Sequence, residues 1–128
     1  MDAKLLKFQP SHKSVLMCDF SDFKAPEMTK VRPVIVLRKN RYNSKLVTIV
    51  PISTTEPVPL IEAIHVPIDG PLDGRAAWVK CDMVTTVCIE RLDRIKVKHQ
   101  GKTEWITQQI EQRTFDEIQK AVASYLGL

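Results

Sequence analysis

Aromatic residues are scarce in this chain, at 6% of 128 residues, so its core has to be built mainly from aliphatic side chains. Cysteine is scarce too. Cys18, Cys81 and Cys88 are odd in number and form no Cys-x-x-Cys pair. Each lies inside an apolar run, which fits three reduced, buried thiols in a reducing compartment. His12, His65 and His99 do not stand at metal-ligand spacing and no carboxylate cluster accompanies them, so neither a metal site nor a cofactor is expected. Long hydrophobic runs are missing as well. The opening MDAKLLKFQPSHK holds no stretch fit for a signal peptide, and no later window reaches membrane length, so a cytoplasmic protein without membrane contact is expected. No repeat, low-complexity tract or linker interrupts the sequence. Its length suits a single domain over residues 1–128, large enough to bury a core without staples.

What is present is an ordinary globular balance, 44% hydrophobic and 27% charged, with an uneven distribution of charge. Residues 1–50 carry ten Lys/Arg against four Asp/Glu, a net +6, and residues 51–128 carry nine against eleven, a net −2, which together give the +4 of the whole chain. A basic half points to an anionic partner, nucleic acid being the common one, or to a solvated basic face.

Periodicity and turn chemistry predict mostly short strands. Ser14–Phe20 (SVLMCDF), Val31–Leu37 (VRPVIVL), Leu46–Ile52 (LVTIVPI) and Ile61–Ile68 (IEAIHVPI) read as strands, with Pro33 at the start of its strand because it cannot donate to a ladder. Ser21–Lys30, the Asn-rich Lys39–Lys45 and Ser53–Pro59 read as loops, and Asp69–Gly74 (DGPLDG) is the strongest turn signal. Ala76–Cys88 reads as one long or two short strands, and Arg94–His99 with Thr103–Ile106 as a hairpin around Gln100-Gly101-Lys102. One helix ends the chain. Thr114 and Glu117 offer a capping box, Phe115, Ile118, Val122, Tyr125 and Leu126 an apolar stripe for core packing, and Gly127 a terminator. The pattern predicts a mainly β (α+β) fold, a small barrel-like sheet with a C-terminal α-helix.

The ordered series Cys18-Asp19-Phe20, Glu27, Arg32-Pro33-Val34, Thr54, His65-Val66, Cys81-Asp82-Met83 and Leu126-Gly127-Leu128 resembles the MazF/PemK/Kid family of type II toxins, from about Ser14 to the C-terminus. No one motif is specific; the ordered set is. The resemblance implies an SH3-like/CcdB-like barrel sheet and a metal-independent, sequence-specific endoribonuclease. Such an enzyme cuts single-stranded RNA through the substrate's own 2′-hydroxyl to a 2′,3′-cyclic phosphate and a 5′-hydroxyl. It further implies a homodimer with RNA bound across it, and neutralisation by the flexible tail of a cognate antitoxin. The sequence departs from the family where Lys13-Ser14 replaces Gly-Asp, Met28 and Met83 each replace a Gln, and Pro26 replaces a His found in some members. Residues 96–112 look like an added hairpin and linker. Two other readings are a CcdB-like gyrase poison, which Leu126-Gly127-Leu128 matches poorly, and a catalytically inactive relative that binds RNA.

Cleavage of this kind needs a base, a fixed cation and hydrogen-bond donors. Arg32 suits the cation: its planar fork clamps phosphate at two points and stays protonated. The resemblance aligns Thr54 with the family's catalytic Thr, with Ser53 beside it as a bystander candidate; strand-end Ser and Thr also simply cap turns. Lys80 and Asp82, two apart on a strand, would share a face, Cys81 pointing into the core. The family's Arg-Cys-Asp counterpart makes them an acid and a base, against the plainer reading of an exposed ion pair. Glu27 would order its loop or orient Arg32. His65 has a family match, and the basic cluster Arg38, Lys39, Arg41 and Lys45 suits RNA phosphates, with Tyr42 placed to stack a base.

Overall fold

The computed structural model describes Leu6 and residues 9–128. Its strands are β1 (Ser14–Asp19), β2 (Val31–Lys39), β3 (Leu46–Ser53), β4 (His65–Asp69), β5 (Ala76–Lys80), β6 (Thr85–Cys88), β7 (Leu92–Asp93), β8 (Ile95–His99), β9 (Lys102–Ile106) and β10 (Gln108–Gln109), followed by helix α1 (Gln112–Leu126). The main sheet is antiparallel and runs β10-β1-β2-β3-β5-β4, with β6 on β3 and β7 on β1. The chain passes from β6 through a short 3₁₀ turn, Ile89–Arg91, into β7. It thereby bridges β3 back to β1 and curls one end of the sheet into a ring.

Both faces of the central strands are buried, which is why they read as unbroken apolar runs. One face carries Leu16, Cys18, Phe20, Val34, Val36, Val47, Ile49, Val87, Ile89 and Leu92, the filling of the ring. The other carries Val15, Ile35, Val50, Ile52, Val66 and Val79 and meets Phe115, Ile118 and Ala121 of α1. Alternate residues of each strand go to opposite cores, as the pleat requires. The register Val34↔Pro51, Ile35↔Val50, Val36↔Ile49 fixes which is which. Pro33 and Pro51 sit where this ladder stops, since neither has an N–H to extend it. The start of β2 and the end of β3 are thereby left to project their side chains.

Several expectations change at element ends. The strand expected over Ile61–Ile68 is only His65–Asp69; Ile61–Ile64 forms a turn in which Ile64 and His65 N–H donate to the Ile61 carbonyl. Helix α1 starts at Gln112 with Glu111 as its cap and no side-chain capping bond, so Thr114 lies inside the first turn and the capping box does not form. The reason is upstream: Ile110 N–H donates to the Lys13 carbonyl, which pins the chain beside β1 and makes it turn helical at once, Phe115 N–H then reaching the Glu111 carbonyl. Tyr125 and Leu126 are 50% and 53% exposed. The buried stripe therefore ends at Ala121, with Val122 packed at its margin. Gly127 at φ 76° closes the helix as expected, its N–H bonding Ser124 and that of Leu128 bonding Ala123. In the β8–β9 hairpin, Gln100 at φ 51° and Gly101 at φ 78° both take the left-handed conformation that a two-residue turn demands. Cys18 and Cys81 are buried as expected, but Cys88 is only half-buried.

Candidate functional site

Register assembles the site. Cys18 pairs with Arg32 across β1–β2. The β2–β3 register, carried two residues beyond Val34↔Pro51, brings Arg32 opposite Ser53. Ser53 in turn pairs with Trp78, and Trp78 with Pro67. Cross-strand partners share a face. Arg32, Ser53 and Trp78 therefore form one row over β2, β3 and β5, with Lys80 and His65, a cross-strand pair, on the same face. Trp78 carries no sequence signal of its own; only the register places it beside Ser53.

Arg32 is half-buried. Its Nε donates to the Thr29 carbonyl at 3.3 Å, which aims the guanidinium without neutralising it; among the described residues no carboxylate pairs with it. Ser53 is occupied by its own turn, Oγ donating to the Thr55 carbonyl at 3.0 Å and accepting the Thr55 N–H at 3.2 Å. Thr54, the next residue, is exposed and carries a hydroxyl that this turn does not use.

Asp82 does not extend β5. It lies in the 3₁₀ turn Cys81–Met83, so it does not share a strand face with Lys80, and the two form no ion pair among the described residues. The chain turns here because Cys81 N–H donates to the Ile64 carbonyl and its side chain enters the core, where burial pushes the thiol up to about 12. Asp82 instead meets His65. That imidazole is 6% exposed, so it offers no surface to a ligand. Its Nδ1 accepts the Ile61 N–H at 2.9 Å, which puts the ring proton on Nε2. Nε2 faces Asp82 Oδ1 at 4.0 Å, longer than a hydrogen bond, and Oδ1 is a buried oxygen with no hydrogen-bond partner among the described residues. Asp82 also lines a cavity of about 360 Å³ with Phe20, Phe23, Glu27, Met28 and Thr85.

Glu27 orders its own loop: Oε1 accepts the Lys24 N–H at 2.8 Å. It makes no ion pair with Arg32, so of its two expected uses the first is the one observed. The same loop is tied to the ring by Arg91, whose guanidinium donates to both Asp22 oxygens at 2.6 and 2.9 Å and to the Asp19 carbonyl at 3.0 Å. Arg91 also stacks on the Phe23 ring at 5.0 Å. The Arg91 hydrogen bonds hold the Asp22 carboxyl below its ordinary 3.8. A lowered folded-state value means that the order this pair contributes is complete above pH 3.8 and is lost as pH falls through the lower value. Amide spectra of residues 21–24 should therefore keep their neutral-pH form until the solution is more acidic than 3.8, and Asp22→Asn should show the released spectrum at neutral pH. Identical spectra for the two proteins at neutral pH would refute this.

The basic cluster stands elsewhere. Arg38 and Lys39 end β2, and Arg41 and Lys45 lie in the turn beyond. A strand rise of about 3.3 Å per residue puts Arg38 roughly 20 Å from Arg32. This turn is rigid: the Gln9 side-chain amide donates to the carbonyls of Asn40, Asn43 and Leu46 at 2.9, 3.1 and 2.9 Å. It presents Tyr42, 88% exposed, with Arg41 over its ring at 5.6 Å. The structure thus gathers Arg32, Ser53, Thr54, Lys80, His65 and Asp82 at one end of the sheet and leaves Arg38, Lys39, Arg41 and Lys45 at the other.

A profile of the PemK-like, MazF-like toxins of type II toxin–antitoxin systems matches residues 12–126. The chain belongs to this family. Among solved structures this PemK/MazF-family chain is similar to an endoribonuclease from a mycobacterial species in complex with its cognate antitoxin, at 21% identity over 94% of this chain and 97% of that one, TM-score 0.64. It is also similar to MazF from Deinococcus radiodurans, at 19% identity over 93% and 97%, TM-score 0.65, and to the Mycobacterium tuberculosis toxin MazF-mt6, at 20% over 88% and 96%, TM-score 0.56. At these identities the likeness establishes a MazF-like fold, mainly β with one C-terminal helix. No curated protein matches the chain. Among the described residues, no helix is long and apolar enough to cross a membrane.

Proposed function

We propose that this PemK/MazF-family toxin is a metal-independent endoribonuclease that cuts single-stranded RNA at the Arg32 end of its sheet. The observation that carries the reading is the row Arg32–Ser53–Trp78 with Thr54 beside it, a cation with no carboxylate partner among the described residues and a hydroxyl left unused by its own turn, next to an aromatic face. Arg32 grips the scissile phosphate through its fork and offsets the charge that builds on phosphorus. Thr54 Oγ1 donates to a phosphate oxygen. The substrate 2′-hydroxyl attacks phosphorus, its proton passing to the outward oxygen of Asp82. The bond from phosphorus to the 5′-oxygen breaks, and Lys80 protonates that oxygen. The products are a 2′,3′-cyclic phosphate and a 5′-hydroxyl, which restricts the reaction to RNA. Arg38, Lys39, Arg41 and Lys45 serve the backbone of a longer RNA at the far end of β2. The protein acts in the cytoplasm as a homodimer and is held in check by a cognate antitoxin.

The direct test is incubation of pure protein with single-stranded RNA in EDTA. Wild type should cleave it and leave cyclic phosphate ends. An intact substrate would overturn the assignment.

In this mechanism His65 is a positioning residue. Its Nε2 lies 4.0 Å from the buried Asp82 Oδ1, close enough to attract the charged carboxylate, and the Ile61 N–H that fixes its tautomer belongs to the same loop as Thr54. His65→Ala should lower kcat by about tenfold or more with KM little changed. His65→Gln, which places an N–H near the position of Nε2, should recover most of the loss. Ring-nitrogen NMR should show the Nε2–H tautomer. Equal activity of the Ala and Gln variants would reduce His65 to a packing role.

A further inference from the structure

The β8–β9 hairpin is absorbed by none of the chemistry above. Among the described residues its two strands pair only with each other. One face carries Ile95, Val97 and Ile106, packed against the helix-side core, with the exposed Glu104, His99 and Lys102 on the same face toward the turn. The other face is basic and aromatic. Lys96 pairs directly with Trp105, and Lys98 with Thr103, so all four side chains share that face. Lys96 Nζ lies 5.8 Å and Arg94 Cζ 5.9 Å from the centre of the Trp105 ring. From Arg94 to Thr103 the chain carries Arg94, Lys96, Lys98 and Lys102 and no Asp or Glu. Trp105 is half-buried, and its indole N–H has no hydrogen-bond partner among the described residues, although an indole in contact with protein usually finds one.

Trp105 forms one wall of a groove of about 430 Å³ whose floor includes Met17 and Val31, with Arg91, Arg94 and Lys96 and the acids Asp19, Glu90 and Asp93 around it. The charges of the lining balance only when the exposed Lys96 is counted with it; Lys98, on the same hairpin face, adds positive charge beyond the lining. That division suits a neutral, flat group inside and anions outside. Val31, 53% exposed, is the residue before Arg32, and successive strand residues point to opposite faces. The groove therefore opens immediately behind the Arg32 row, around the start of β2, where Val31 pairs with Asp19 of β1.

We propose that this groove is a second nucleic-acid subsite, in which a base of single-stranded RNA stacks on Trp105 while flanking phosphates run along Lys96 and Lys98. The strand would leave the Arg32 site past Val31, so the direction of the path rests on the proposed cleavage site, but the subsite's own test does not require cleavage. Stacking on an aromatic ring tolerates any base, and Lys side chains follow the backbone. The subsite thus adds affinity and length preference rather than sequence preference.

The test uses the whole protein with fluorine-labelled tryptophan and a 2′-O-methyl oligoribonucleotide of about ten nucleotides, which cannot be cut. Trp78 and Trp105 are the only tryptophans, so fluorine NMR gives one signal from the Arg32 row and one from the groove, assigned with Trp105→Phe. Binding should shift both. Trp105→Ala should weaken binding about tenfold. Lys96→Ala/Lys98→Ala, made at two exposed positions and so independent of any folding defect at Trp105, should flatten the log–log salt dependence by about 1.4. A shift of Trp105 alone upholds the subsite even if the cleavage assignment fails. A shift of Trp78 alone overturns the subsite while leaving the Arg32 site standing, as does a Trp105 signal that answers only to an antitoxin peptide. With neither signal shifted, both fall.

Discussion

Arg32→Ala should lower the single-turnover rate of RNA cleavage by about 100- to 1,000-fold, the usual cost of deleting one preorganised charge or donor at an acyl- or phosphoryl-transfer site. Stability should hardly change. The side chain is half-buried, its only side-chain bond among the described residues is the one from Nε to the Thr29 carbonyl at 3.3 Å, and it lies past the end of the β2–β3 ladder. Arg32→Lys should fall between the two, because an ammonium keeps the charge and loses the two-point grip. The measurement is cleavage under enzyme excess with thermal unfolding of the same samples. Full activity in the Ala variant would remove Arg32 from the chemistry; a large loss of melting temperature would make it a structural residue instead.

Phe20→Ala should cost about 3–5 kcal/mol of stability, as expected for an aromatic side chain removed from a closed core. Phe20 is 1% exposed and fills the ring with Leu16, Val34 and Leu92. It also meets Phe23 edge-on at 5.1 Å, and its N–H donates to the Lys30 carbonyl at 2.7 Å, closing the base of the Ser21–Lys30 loop. It borders the cavity that Asp82 lines. One substitution therefore loosens both the ring and the wall of the site. Urea unfolding should show the loss, and Phe20→Leu should show a much smaller one. A loss in the Ala variant below about 1 kcal/mol would mean that the ring end is not a packed core.

The fold was legible where periodicity does the work. Apolar runs with β-branched residues located β1, β2 and β3, the Gln100-Gly101 pair located a hairpin, and the Phe115/Ile118 spacing located the helix. Element ends were not legible, because tertiary contacts set them. A single bond from Ile110 to the Lys13 carbonyl overrides the capping box at Thr114, and the turn bonds to the Ile61 carbonyl shorten β4. The candidate site was legible residue by residue but not as an arrangement. Arg32 and Thr54 were singled out by the family resemblance, since local pattern alone fits a surface Arg beside a strand-initiating Pro and a turn-capping Thr. Trp78 needed the register of three strands, the burial of His65 needed the packing around β4 and β5, and Asp82 left the strand expected of it because Cys81 turns into the core. Charge along the sequence misled in a similar way. The basic first half suggested one surface, whereas β2 carries its cations at both ends, and a second basic surface lies on the β8–β9 hairpin, within the acidic half of the chain.

The three thiols give the native protein a built-in chemical handle. Burial pushes Cys18 and Cys81 up to about 12, so neither offers thiolate to an alkylating reagent near neutral pH. Cys88 is half-buried at the end of β6, directly across from Leu46, one residue beyond the rigid turn that Gln9 fastens. A maleimide dye applied to the unaltered sequence should accordingly attach once, beside the basic turn. From there it would report by energy transfer how far a labelled RNA end lies from the Arg38 side of the sheet, with no cysteine having to be engineered in or out.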